Sequence, residues 1–72
     1  MGKQRKQSQA SKLLVSWLRE AGHPHEWLAS QLKVSRPAVT QWLLGTNLPV
    51  YEHRLTIEAL TGIPAWAWKQ YD

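Results

Sequence analysis

The chain has 72 residues, nine of them Lys or Arg and five Asp or Glu, with a net charge of +4 and no cysteine. So short a chain buries only about 60% of its unfolded surface, which supports one small core and argues against an enzyme with a deep pocket. The missing cysteines exclude a disulfide framework and a Cys-based zinc site. No apolar run approaches the length of about 20 residues that spans a bilayer, and the N-terminal MGKQRKQSQASK lacks the apolar segment of a secretory signal, so an unexported, intracellular protein is expected.

The charge is unevenly placed. Lys3, Arg5, Lys6 and Lys12 lie in the first twelve residues, which contain no acid, whereas residues 13–72 carry five basic and five acidic side chains. A stretch rich in Lys, Gln and Ser cannot offset its ordering entropy by burial. Residues 1–12 are therefore expected to form a flexible basic arm and residues 13–72 the folded domain. A solubilising tail and a polyanion-binding arm are both open readings of the arm.

Gly and Pro punctuate the remainder at Gly22 with Pro24, Pro37, Gly45 with Pro49, and Gly62 with Pro64. Over residues 11–21, Leu14, Leu18 and Ala21 recur at helical spacing, and Gly22 is suited to stop the helix. A second helix is predicted from about 24 to 32, with Leu28, Ala29 and Leu32 as its apolar stripe and Pro24 near the first turn, where a missing N–H costs nothing. Ser35 is the expected N-cap of a third. Because Pro37 has no N–H, the serine hydroxyl should reach Ala38. At 100° per residue, Ala38, Val39, Trp42 and Leu43 share one arc, and Pro37, Thr40, Gln41 and Leu44 the other, with Arg36 at its edge. A fourth helix spans about 51–61, with Ile57, Leu60, Leu55 and Ala59 facing inward. Pro64 then opens a last short helix, AWAWKQY. No segment alternates as a strand does, so the fold class is all-α with five short helices.

The second and third helices, joined through Lys33-Val34-Ser35, have small Ala29 where they would cross and Val39 ten residues later to fill the corner. With Leu28, Leu32, Val34, Trp42 and Gly45 also in register, EWLASQLKVSRPAVTQWLLGTNLP resembles the lambda-repressor-like, Cro-type helix-turn-helix family. RLTIEALTG is similar to the next helix of small phage Cro and YdaS-type regulators, and the resemblance covers about residues 13–64. It implies a DNA-binding protein whose third helix lies in the major groove. The family usually has glycine where this chain has Lys33, which implies a non-glycine residue at positive φ.

On that resemblance, Arg36 is placed to donate two hydrogen bonds to guanine, Gln41 to pair with adenine, Thr40 to meet a base or a phosphate, and Pro37 to touch a thymine methyl. Backbone contacts fall to Lys33, Ser35, Thr46 and Asn47. His25, where the family often has a phosphate-holding glutamine, joins them. Lys3, Arg5 and Lys6 form the arm's contribution. Trp17, Trp27 and Trp42 read as core or core-edge residues, whereas Trp66, Trp68 and Tyr71 crowd the last helix and are expected to include a dimer interface.

His23, His25, Glu26 and His53 lack metal-ligand spacing, and no catalytic triad, carboxylate pair or glycine-rich phosphate loop is present. Neither catalysis, a metal, a cofactor nor a small-molecule ligand is expected. The resulting expectation is a bacterial or phage-encoded, cytoplasmic, nucleoid-associated repressor that binds palindromic double-stranded DNA as a homodimer, with no membrane association. The rivals are a protein-interaction module, such as an antitoxin-like chain acting through its Trp-rich C-terminus, and an RNA-binding helical module.

Overall fold

A computed structural model describes residues 8–68. They form α1 (Gln9–Ala21), α2 (His25–Leu32), α3 (Arg36–Leu44) and α4 (Tyr51–Thr61), followed by a 3₁₀ turn at Ala65–Trp68. No strand occurs among the described residues. The fifth element is thus not an α-helix. Ala67 N–H donates to Pro64 O at 3.0 Å, and the tighter winding places Ala65 and Trp68 on one side, three residues apart. Both are buried there.

The folded body also begins earlier than residue 13. Ser8 caps α1 by accepting from Ser11 N–H at 3.1 Å, and Ser8, Ala10 and Ser11 are all buried. Ala10 extends the inward stripe of Leu14 and Leu18 backwards by one turn, while Ala21, expected in that stripe, is exposed. Ser11 Oγ donates to Trp42 O at 2.6 Å, so Ser8 Oγ supplies the proton in its 3.1 Å bond with Ser11 Oγ. This buried relay fastens the first turn of α1 to the last turn of α3.

Each of the four helices ends on a residue in the left-handed region: Gly22, Lys33, Gly45 and Gly62. Lys33, at φ 58°, is the one that is not glycine, as the resemblance implied. It sustains the same hydrogen bonding, with Lys33 N–H donating to Ser30 O at 3.3 Å and Val34 N–H to Ala29 O at 3.0 Å. The left-handed conformation costs a side-chain-bearing residue about 1–2 kcal/mol, which those two bonds and the packing beyond the turn offset.

The core gathers Leu14 and Leu18 of α1, Leu28, Ala29 and Leu32 of α2, Val39, Trp42 and Leu43 of α3, Ile57 of α4, then Ile63, Ala67 and Trp68. α3 packs against both α1 and α2, and the 3₁₀ turn joins α1 to α4. Val39 is fully buried, in the same core cluster as Ala29. α4 faces inward differently from its predicted pattern: Ile57 is buried and Leu60 half-buried, but Leu55 and Ala59 are exposed.

Candidate functional site

α3 owes its start to the local chemistry of SRPA. Ser35 Oγ accepts from Ala38 N–H at 3.3 Å, passing over Pro37, which sits in the first turn where no intrahelical donor is needed. Val39, Trp42 and Leu43 are locked in the core, which fixes the helix about its own axis. The opposite arc follows: Arg36, Pro37, Gln41 and Leu44 are exposed and Thr40 half-buried. Arg36, Pro37, Thr40 and Gln41 together line one open depression of about 330 Å³. No acidic residue lies in α3, and Lys33 stands exposed just before it. Four residues singled out by their place in the sequence are therefore contiguous in space, beside the exposed cation Lys33.

The flanks of this arc are held by hydrogen bonds. His25 Nδ1 lies 3.3 Å from Thr40 Oγ1, linking the start of α2 to the middle of α3 and turning Thr40 partly away from solvent. Beyond the helix, Thr46 Oγ1 donates to Gln41 O at 3.3 Å, and Asn47 Nδ2 donates to Gln41 Oε1 at the same distance. Leu48 N–H in turn donates to Asn47 Oδ1 at 3.1 Å. Ser35, Thr46 and Asn47 are exposed around the arc. The expected arm residues Lys3, Arg5 and Lys6, and Tyr71, lie outside the described residues.

The expected aromatic interface is corrected. Trp68 is 0% exposed and belongs to the core, whereas Trp66 is 68% exposed. Two tryptophans two residues apart in a 3₁₀ turn point in different directions, so they cannot share one contact face. The Trp68 indole N–H has no acceptor among the described residues. The sequence reading also missed an exposed strip on α4: Tyr51 and Leu55, one turn apart, are 63% and 45% exposed.

The segment GHPHEW serves packing. The His23 and Trp27 rings stack at 3.9 Å with planes 7° apart, and Trp17 joins them, its centroid 5.9 Å from each. Trp17 and Trp27 are accordingly half-buried at the core edge, while Trp42 is buried within it and tilts against His53 at 5.7 Å. Among the described residues, no three His, Asp or Glu side chains converge as metal ligands would, and no helix is long and apolar enough to cross a membrane.

Compared with known proteins, the chain matches no family model, no curated protein and no solved structure.

Proposed function

We propose that this chain is a small sequence-specific DNA-binding regulator of transcription, a Cro-like repressor of phage or mobile-element type, acting through the α2–turn–α3 unit as a helix-turn-helix. The observation that carries this reading is the arc of Arg36, Pro37, Thr40 and Gln41: an acid-free face lining one open depression, on a helix whose other face is core. Its side chains match what a major groove offers. Arg36 has the two donors that guanine O6 and N7 accept, and Gln41 the donor and acceptor that adenine N7 and N6 require. Pro37 supplies apolar contact for a thymine methyl. Lys33, Ser35, Thr46 and Asn47, with His25, surround them at the places where phosphates would run.

Repression follows from occupancy of the operator, in the cytoplasm of a bacterium. One α3 reads only a few base pairs, so two copies on a palindrome are required, with half-sites about 10–10.5 bp apart or a multiple of it. Trp66, Tyr51 and Leu55 are among the exposed apolar side chains available for that pairing. The same exposure favours a second reading, a protein-interaction module whose DNA binding has been lost.

Anisotropy titrations of the full chain against duplex DNA, single-stranded DNA and duplex RNA, at several salt concentrations, separate the readings. The repressor requires a duplex preference and a sequence enriched from a random pool. Equal, weak binding to all three polymers leaves the interaction module.

A further inference from the structure

The side-chain amide of Asn47 is committed at both ends, and its hydrogen bonds determine the orientation of Gln41. A backbone N–H can only donate, so the Asn47 atom facing Leu48 N–H at 3.1 Å is the oxygen, Oδ1. The other end is then Nδ2, which can also only donate. It lies 3.3 Å from the Gln41 amide, so the Gln41 atom turned toward it must be Oε1. The Nε2 end of Gln41 is left without a partner from Asn47, on a side chain that is exposed and lines the depression with Arg36, Pro37 and Thr40. The main chain is held at the same residue: the carbonyl of Gln41 accepts from Gly45 N–H at 3.0 Å, Thr46 N–H at 3.1 Å and Thr46 Oγ1 at 3.3 Å.

We propose that Asn47 is a positioning residue for base recognition, fixing which end of the Gln41 amide meets the base. This rests on the DNA-binding reading above and changes the role of Asn47 within it, from a phosphate contact to the setter of a side chain. With Oε1 held, Gln41 presents Nε2 as a donor and the second lone pair of Oε1 as an acceptor, in one order along the groove. A donor and an acceptor side by side are what adenine N7 and N6 require, and fixing their order leaves one way to approach the base. A freely flipping glutamine offers both orders and discriminates less. The bond is present without DNA, so it restricts the rotation of the glutamine terminus before any base is met.

The two classes of contact leave different signatures. A phosphate contact contributes about 0.9 to the slope of log affinity against log salt and weakens every duplex alike, whereas a positioning residue alters one base position and leaves the slope unchanged. The experiment selects bound duplexes from a randomised pool, then measures salt-dependent affinities for the full chain and for Asn47→Ala, Asn47→Asp, Gln41→Ala and the Asn47→Ala/Gln41→Ala pair. Asn47→Ala should lose discrimination about threefold to tenfold, the worth of one neutral hydrogen bond, at the one position per half-site that Gln41→Ala also relaxes. The double variant should lose nothing more at that position. In Asn47→Asp, one carboxylate oxygen still accepts from Leu48 N–H and the other draws in Gln41 Nε2, so Oε1 turns outward and preference moves toward a base edge that donates first.

A uniform loss on all duplexes with a flatter salt slope overturns the proposal, as does an additive loss in the double variant. Nuclear magnetic resonance of the free protein keeps the orientation testable apart from DNA: Gln41→Ala should move the Asn47 Nδ2 proton resonances, and unmoved resonances overturn the lock. If the parent chain selects no sequence, the regulatory reading fails whatever the resonances do; if it selects one and the resonances do not move, the positioning role of Asn47 fails alone.

Discussion

Ser11 Oγ donates to the carbonyl oxygen of Trp42 across 2.6 Å, joining residues 31 apart in sequence in a fully buried site. Removing that hydroxyl leaves the carbonyl with the longer 3.3 Å donation from Gly45 N–H and opens a small void. Ser11→Ala should therefore destabilise the fold by about 1–3 kcal/mol, lowering the thermal midpoint by about 4–8 °C per kcal/mol in a domain this small. Melting followed by circular dichroism reads this directly; an unchanged midpoint would mean that the bond contributes nothing.

The same relay puts Ser8, Ala10 and Ser11 in the folded body. Deleting residues 1–7 removes Lys3, Arg5 and Lys6 but leaves Ser8, Ala10 and Ser11 in place. That truncation should melt with the full chain while its salt slope on duplex DNA flattens by at most about three units of 0.9. Deleting residues 1–10 should cost stability as well, because the N-cap is lost, an effect of about 0.5–2 kcal/mol before the loss of buried Ala10 is added. Equal melting of the two truncations would contradict the assignment of residues 8–10 to the folded body.

On the exposed arc of α3, Arg36→Ala should weaken selected duplexes by about 1–3 kcal/mol and relax one base position per half-site. Gln41→Ala should relax another. Competition against selected and scrambled duplexes makes the distinction, since a phosphate role would weaken both alike.

Lys33 serves two demands that a single substitution divides. Lys33→Gly relieves the left-handed strain at φ 58° and removes an exposed cation beside the exposed arc of α3. Stability should rise by up to about 1 kcal/mol, the conformational penalty less the chain entropy that glycine returns to the unfolded state. Duplex affinity should fall, with a salt slope flatter by about 0.9. A variant more stable and equally tight would remove Lys33 from the phosphate contacts.

The two C-terminal tryptophans should behave as opposites. Trp68→Ala empties a core position and should cost about 3–5 kcal/mol, a large share of what so small a domain possesses. Trp66→Ala should leave the melt nearly unchanged. Assembly is tested with Trp66→Ala and with Tyr51→Asp/Leu55→Asp, which places charge on an exposed strip without entering the core. Sedimentation equilibrium should show weakened self-association in one or both; full dimerisation in each would move the interface off these residues.

Much of the fold was legible because the helix ends are written in residues with one local meaning. Gly22, Gly45 and Gly62 mark left-handed stops, and the step from Ser35 over Pro37 to Ala38 follows from a missing N–H. The exposed arc of α3 was legible for a related reason: Val39, Trp42 and Leu43 leave the helix a single way to turn. Ser8 and Ser11 were not, since a buried serine reads as a polar tail until the carbonyl of Trp42 is brought beside it. Trp68 was hidden by a change of period, three residues per turn where an α-helix was expected. On α4, Tyr51, Leu55 and Ala59 form one apolar set and Ile57 with Leu60 another; periodicity does not choose between them, and the rest of the core does. The bond from Asn47 to Gln41 joins two exposed amides and leaves no trace in hydropathy.

The most direct test of the central claim is amide chemical-shift mapping of the isotopically labelled full chain titrated with a duplex that it selects. A DNA-reading α3 requires the largest shifts at Arg36, Ala38, Thr40 and Gln41, with Thr46 and Asn47 at the flank, and small shifts on the solvent face of α4. Large shifts at Tyr51, Leu55 and Trp66 with α3 unmoved, or no shifts at all with any duplex, would contradict it.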